Sequence, residues 1–484
     1  MSLPRRSQSA LEYMMTYGWA ILVIVIVAAV LYSLGIFSPS SSLSTTITGF
    51  SNLGTVNAVC LGGTSFTISM GDSTSYPINI TQINLTSSSG KTTYSPNILI
   101  QPNSIQTVTV PSSSLCTSGA RYSVSAVISY LEPGQVFQGP YTSTGTVSGT
   151  AASPPSSATS YEPLTIANTQ NQGTPSPFQQ MINVTSSSPG WGDISSSPFG
   201  QNVEFFSATG QILDSWLENY TSTHAIWWVK LTSSIPVGSK QTIYIGFAPT
   251  STNLFNTNDI GEAPQIPCGS TPTSSCSNYA EYDDGANVFI DYWNFAGTTM
   301  PSSFLLTECG SGGGYNVNNS ITLDNCQFIF SQQIISYSVI ADISVPILSD
   351  SSYAIYFGLS TELAYMAGDG IPEGAYMVAF PDSTSGGLDL FYQTNYGGVS
   401  VGSIPYTFSD DKVYSIDWVS TGKEGAYINY QKEISGNDTA LKIGDYYLFV
   451  GPDSPGASVS FQWLRTRAYP PNGVMPSVSF GSVS

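Results

Sequence analysis

Residues Arg5 to Phe37, RRSQSALEYMMTYGWAILVIVIVAAVLYSLGIF, constrain this chain more than any other stretch. From Tyr13 to Phe37 there are 25 residues without a charge; a helix of that length rises roughly 37 Å, enough to cross a bilayer with tilt. The stretch predicts one transmembrane α-helix over residues 8–37. An ordinary secretory signal has a shorter apolar segment followed by its small-residue cleavage site, whereas here the polar site comes first. The helix is therefore expected to stay in the mature protein. Arg5 and Arg6 hold the N-terminus inside by the positive-inside rule, and everything after Phe37 is then outside.

The box between the arginines and the apolar run is more specific. Gln8-Ser9-Ala10-Leu11-Glu12-Tyr13 after a basic pair resembles the class III signal peptide of archaeal type IV pilin-like proteins. The resemblance implies a leader over 1–7 that a prepilin peptidase cuts between Ser7 and Gln8. It also makes Glu12 the fifth mature residue, followed by Tyr13, in the position where that family's glutamate meets a neighbouring subunit's N-terminal amine. A carboxylate at the edge of hydrocarbon is costly unless it finds such a cation or stays at the interface, so Glu12 either pairs with a like subunit in a filament or sits among head groups.

Composition agrees with an external location. The chain carries 12 Lys+Arg against 31 Asp+Glu, yet charged residues are 9% of it, against about 25% in an ordinary soluble protein. Uncharged polar side chains must keep it soluble. Sequons occur at Asn79, Asn84, Asn183, Asn219, Asn318 and Asn437, all candidates for glycosylation. No basic patch follows Arg6, which argues against nucleic acid as a partner.

The six cysteines fall in three local groups, Cys60 with Cys116, Cys268 with Cys276 and Cys309 with Cys326. That grouping suggests three disulfides made in an oxidising compartment, although other connectivities are open. Metal binding is the weaker reading, because there is no CxxC pair and His224 is the sole histidine of the sequence.

Beyond the helix the chain reads as an all-β ectodomain of tandem β-sandwiches. Runs such as Phe66-Thr-Ile-Ser-Met70 and Gln106-Thr-Val-Thr-Val110 alternate with period two, which predicts a small β-sandwich over 45–148. Residues 149–160, GTAASPPSSATS, have linker composition. A second β-sandwich is expected over 161–265, where Ile243, Ile245 and Phe247 alternate with Tyr244 and Gly246. Its segments Asn202–Phe206, Gly210–Glu218, Ala225–Leu231 and Ile235–Phe247 resemble an uncharacterised domain family of archaeal and bacterial surface proteins, to which no activity is generally assigned. The region 279–484 resembles a concanavalin or laminin-G type jelly roll, opening on EYDDGANVFI from Glu281 and closing with SVSFQWLRTRAY from Ser458.

Such jelly rolls often bind sugar on one sheet. Trp293, Tyr356, Tyr376, Tyr392, Trp418, Tyr427 and Trp463 are available aromatics, though aromatics on alternating strands are more often core. Asp389, Asp417, Asn429 and Gln431 alternate with apolar neighbours and are expected to face outward, which makes them the ligand candidates for an extracellular glycan. Asp283 and Asp284, before Gly285, offer clustered carboxylates for calcium, against the plainer reading of a turn.

Catalysis is not expected. The acidic pairs of glycoside hydrolases sit about 5 to 9 Å apart, and the Glu-x-Asp-x-x-Glu strand that carries them in this kind of fold is absent. His224 has no GxSxG elbow to serve, and there is no phosphate-binding loop or dinucleotide fingerprint. The sequence thus predicts a membrane-anchored surface protein for adhesion or glycan recognition, in the membrane or as a minor subunit of a pilus-like filament. Its alternatives are a non-polymerising structural glycoprotein of the envelope and a surface glycoside hydrolase.

Overall fold

The computed structural model describes residues 45–484 apart from 52, 270–275, 309–311, 326, 334, 336–337, 346, 350–354, 361–373, 381–386, 395–396, 407–411, 420–422, 438–445, 453–455 and 484. The expected leader, the Ser7–Gln8 cleavage point, Glu12, Tyr13 and the apolar helix lie outside the described residues, as do Cys309 and Cys326. Among the described residues no helix is long and apolar enough to cross a membrane. What is described is almost wholly β, in three successive units.

The first unit faces a six-stranded sheet with a three-stranded one. Its longest strand, Arg121–Leu131, shows why: Tyr122, Val124, Ala126, Ile128 and Tyr130 point inward while the residues between them are exposed or half-buried. Ile105–Pro111 alternates in the same way and supplies Val108 and Val110 from the opposite sheet, while Ser65–Asp72, which supplies Phe66, Ile68 and Met70, is covered on both faces over its first half. Cys60 and Cys116 are disulfide-bonded across a separation of 56 residues. In the 149–160 stretch expected as linker, Ala151 and Ala152 are buried. The Ala152 N–H donates to the Cys60 carbonyl at 2.8 Å, and the Thr159 N–H to that of Phe247 at 2.8 Å. Small side chains let this segment run close against both units instead of spanning a gap.

The second unit packs a five-stranded sheet on a four-stranded one. Ile243, Ile245 and Phe247 enter its core with Leu164, Ile166, Val203, Phe205, Trp227 and Val229. The opposite face of the same strand is buried as well. Tyr244 lies stacked on Phe206, with ring centroids 5.1 Å apart, and packs with Leu61 and Ala152 of the first unit. Polar contacts across this junction include Ser65 to the Tyr244 hydroxyl and Thr109 Oγ1 donating to Thr242 Oγ1 at 2.8 Å.

The third unit is a larger sandwich whose sheets have six, seven and four strands. Its core joins Ile321, Ile329, Phe357, Leu390, Ile416, Leu448 and Phe461 from all three. One strand departs from the expected boundaries. Ser477–Phe480 pairs antiparallel with Ser160–Ala167, Leu164 opposite Phe480, and so completes the second unit's sheet. Val478 and Phe480 pack against the second core, which is why the strand docks there, and it covers an edge that would otherwise be open. The chain end therefore ties the third unit back to the second.

Candidate functional site

The second and third units meet around a buried arginine. Arg465, on the strand Leu464–Ala468, is 0% exposed. Its guanidinium carbon lies 4.2 Å from the ring centre of Phe289, 4.4 Å from Trp463 and 4.6 Å from Trp228, with Trp216 at 5.3 Å. Aromatic faces stabilise a cation but cannot replace the water it has lost, and a carboxylate from each unit does the rest. Arg465 Nη2 donates to Glu218 Oε2 at 2.9 Å, and Nε to Asp342 Oδ2 at 2.8 Å. Arg467 Nε reaches the same Asp342 oxygen at 2.8 Å.

Local backbone features aim these groups. The ladder between Ser215–Tyr220 and His224–Leu231 slips between Leu217 and Asn219, and Glu218 is the extra residue. Such a bulge re-aims one side chain, and here it turns a carboxylate into the joint. Glu218 Oε2 also accepts from Trp228 Nε1 at 2.7 Å and from the Tyr430 hydroxyl. Tyr430 arrives from a two-residue hairpin turn in which Asn429 and Tyr430 have φ of 47° and 69°. An aromatic residue in the left-handed region is strained, and the strain is held by the hydroxyl's place between Glu218 and Arg465 Nη2, the latter at 2.9 Å. Burial pushes the Asp342 carboxyl up, but the two guanidiniums overcome it and hold it below its ordinary value.

Beside this joint lies a cleft of about 770 Å³, bordered by both units and the segment between them. Asn219, Tyr220, Thr221 and His224 line it from the second unit, Gln265 and Ile266 from the connecting segment, and Lys412, Asn429, Gln462 and Trp463 from the third. The volume lies in the ordinary range for small-molecule sites, which favour domain interfaces. Among the described residues, three buried polar atoms of residues that line it have no hydrogen-bond partner, Glu218 Oε1, Gln265 Oε1 and Trp463 Nε1, and none of the three has surface open to the cleft. His224 is held by Thr221, whose Oγ1 lies 2.9 Å from Nδ1.

The structure brings one of the four glycan candidates to this cleft. Asn429 is exposed there, its Oδ1 accepting from the Val413 N–H at 3.1 Å. Asp417, expected to face outward, is 0% exposed. Its carboxylate accepts from the Tyr427 hydroxyl at 2.5 Å and Lys432 Nζ at 3.1 Å, because the face it lies on is itself covered. Asp389 is half-buried and Gln431 exposed, neither on the cleft. Of the aromatics, Trp463, Tyr356 and Tyr427 are buried, and Trp293 packs half-buried on the third core; the side chains of Tyr376, Tyr392 and Trp418 lie outside the described residues. Among the sequons, Asn183 and Asn219 are exposed, Asn79, Asn84 and Asn318 half-buried, and the side chain of Asn437 is not described. Cys268 is disulfide-bonded to Cys276.

Asp283 and Asp284 do not form a cation site. The Asp283 carboxylate accepts from Trp216 Nε1 at 2.8 Å, Asn294 Nδ2 at 2.6 Å, the Tyr292 hydroxyl at 2.9 Å and the Gly285 N–H at 3.1 Å. A carboxylate ringed by donors has its lone pairs filled, while calcium needs about six to eight oxygens. Asp284 is buried, which pushes its carboxyl up to about 7. Nearby Glu262 is raised further, to about 8, by burial and then by Glu281 and Asp283. Among the described residues no group of three or more His, Cys, Asp or Glu side chains is placed to hold a metal.

Residues 199–260 match a family model described as a domain of unknown function, DUF2341. Trp216, Glu218 and Trp228 of the joint lie within that stretch. Uncharacterized protein 562 of Sulfolobus islandicus rod-shaped virus 1 is 37% identical over 136 residues, 27% of this chain and 21% of that protein. The chain thus spans about a fifth of the length of the curated relative it matches. Solved structures similar to part of the chain include the Emp47p carbohydrate recognition domain, at 10% identity and a TM-score of 0.29 over 35% of this chain and 89% of that one. A legume lectin-like domain from Entamoeba histolytica is 14% identical with a TM-score of 0.28, over 34% of this chain and 90% of that one. A Bacillus licheniformis beta-glucanase is 12% identical with a TM-score of 0.28, over 37% and 97%.

Proposed function

We propose that this chain is a non-polymerising structural protein of the cell surface, anchored by its N-terminal apolar helix and presenting its β units outward as a stiff head. The observation that carries this reading is the Arg465 joint, in which charges from the second and third units are buried against each other. Two sandwiches on a flexible tether would move independently; a buried ion network and a shared sheet edge resist that. The apolar run supports the anchor, and the Cys60–Cys116 and Cys268–Cys276 disulfides support an oxidising exterior.

The bulk of the head argues against a filament. A compact body of this length has a radius of gyration of roughly 22 Å, whereas helices packed in a filament core lie about 8–10 Å apart. The reading assigns no catalysis, since Glu218, the carboxylate among the cleft's lining residues, is held by Arg465, Trp228 and Tyr430. Immunogold labelling of intact cells tests it: label spread over the cell surface and missing from sheared filaments is expected. Label running along filaments would overturn the non-polymerising reading. Mass spectrometry of the mature N-terminus is expected to begin at Gln8.

A further inference from the structure

Exposed apolar side chains gather at one end of the first unit. Among the described residues eleven large hydrophobic side chains are exposed, and six of them, Tyr76, Leu99, Ile105, Val136, Phe137 and Val237, belong to this end. Strand register places them. Val136 and Phe137 cap the hairpin between Arg121–Leu131 and Tyr141–Thr150, and Asn79 stands opposite both Leu131 and Leu99. Ile105 stands opposite Gly71, at the mouth of the loop that carries Tyr76. Val237 comes from the second unit, two residues before Ser239, whose Oγ donates to the Ile105 carbonyl at 2.5 Å. We infer that this end is a membrane-contact surface, resting on the bilayer that the chain's own apolar helix crosses; the inference rests on that helix being the anchor.

The tip is built to project. Val136 is 95% exposed and Phe137 80%. Their loop is held in one shape by the Glu132 N–H, which donates to the Gln138 carbonyl at 2.9 Å, and by the Tyr141 hydroxyl, which donates to the Phe137 carbonyl at 2.6 Å. A loop fixed in advance loses little freedom on entering lipid. A Cβ on Gly134 would lie 3.7 Å from Tyr76 Cδ1, so a tyrosine flanks the tip from the neighbouring loop. Aliphatic and phenyl groups outermost with tyrosines behind them suit the layered polarity of a bilayer interface.

Charge favours the same occupant. In a chain of 31 Asp+Glu, the loops 72–77, 101–104, 132–140 and 232–239 hold two, Asp72 and Glu132, which are 3% and 6% exposed. Lys240, exposed where the last of these loops ends, adds a cation. An end that presents a lysine and buries its carboxylates meets anionic head groups without repulsion. A protein partner fits less well. A stable interface covers about 800 Å² on each side, whereas two residues projecting from a hairpin offer a point and not a face.

Chain length selects the bilayer. Thr46 enters the sheet opposite Ser148, and seven residues along the same strand Tyr141 lies beneath the tip, roughly 24 Å away at about 3.4 Å per residue. Eight residues separate Phe37 from Thr46, and they reach at most about 28 Å. The tether is long enough to pass the length of the unit, so helix and tip can share one membrane. Two apolar side chains alone bind weakly, but a short tether holds them at a millimolar local concentration.

The experiment uses the full chain in phosphatidylcholine nanodiscs whose acyl chains are plain or brominated, with Phe137→Trp read as added emission over the parent. Bromine is expected to lower that added emission at least about twofold, and to leave the emission added by Tyr315→Trp, at an exposed site in the third unit, unchanged. Should Phe137→Trp disturb its loop, Tyr76→Trp gives the same reading from the neighbouring one. The anchor is read separately, as the emission lost in Trp19→Phe. If Trp19 is quenched and F137W is not, the anchor stands and this inference falls; if Trp19 escapes quenching, both fall. Equal quenching of the Tyr315→Trp variant shows the whole head lying on lipid and overturns a contact specific to this end. Quenching of F137W that appears only when brominated vesicles are added to plain discs assigns the tip to a second membrane. Emission of F137W that shifts with copy number and ignores bromine assigns it to another copy of the chain. Either result overturns the inference.

Discussion

Arg465 is held by what surrounds it and not by its charge as such. Moving a guanidinium out of water costs several kcal/mol, and its aromatic enclosure returns part of that. The remainder comes from Glu218, which pairs with Arg465 alone, and from Asp342, which accepts from Arg465 and Arg467 together. Asp342→Ala leaves Arg467 without its carboxylate and Arg465 with Glu218 alone, and is expected to cost about 3–5 kcal/mol in a denaturant titration, the usual penalty for breaking a buried pair. Glu262 behaves in the opposite sense. Its folded carboxyl is raised to about 8, above its unfolded value, so the folded state holds the proton that the unfolded state releases. Stability is full below the unfolded value, near 4, and falls as pH rises toward 8. Melting temperature is expected to climb on acidification from pH 8 to pH 5, and Glu262→Gln to flatten that slope. Asp342 sets the acid limit. Its folded carboxyl is depressed, so its contribution is present above the unfolded value and is lost as pH falls below about 4.

At the scale of elements, strands and crosslinks contribute where they restrain the most chain. Cys60–Cys116 closes a separation of 56 residues, so replacing both cysteines by serine is expected to destabilise the first unit by about 4 kcal/mol in the loop-entropy model. The same replacement of Cys268–Cys276, separated by 8, should cost nearer 2.5 kcal/mol; reduced and oxidised melts of each variant measure both. The alternation that makes Arg121–Leu131 and Lys240–Phe247 strands is plain in the sequence because one face of each meets its own unit's core. Period two is silent about the other face. Tyr244 is covered by Phe206 and by the first unit, and Asp417, expected to point at solvent, is covered by Tyr427 and Lys432. Glu218 escapes the pattern for a different reason, since a bulge breaks the period where it sits. A signal for the joint did exist. In a chain of 12 Lys+Arg, Arg465 and Arg467 stand two residues apart just after Trp463, in the closing segment of the jelly-roll resemblance.

At the scale of the molecule, the joint and the returning C-terminal strand make the second and third units mechanically one. The first unit is attached differently. Its core is its own, and its junction with the second unit is made of hydroxyl pairs such as Thr109 with Thr242 and a small apolar patch around Tyr244. These contacts include no ion pair with Asp342 or Arg465, so a substitution at the Arg465 joint leaves them in place. The Arg465 joint couples strongly, because separating its halves exposes Glu218 and Asp342 from opposite sides of one cation. Hydrogen exchange on the intact protein separates these cases. Asp342→Ala is expected to lower protection in Ser215–Tyr220 and His224–Leu231 of the second unit as much as in Val339–Val345 of the third, although the substitution lies in the third. Arg121–Leu131 in the first unit should exchange as it does in the parent protein. Loss of protection confined to the third unit would show that the two sandwiches open independently, and the stiff head would then be two bodies joined only by their chain.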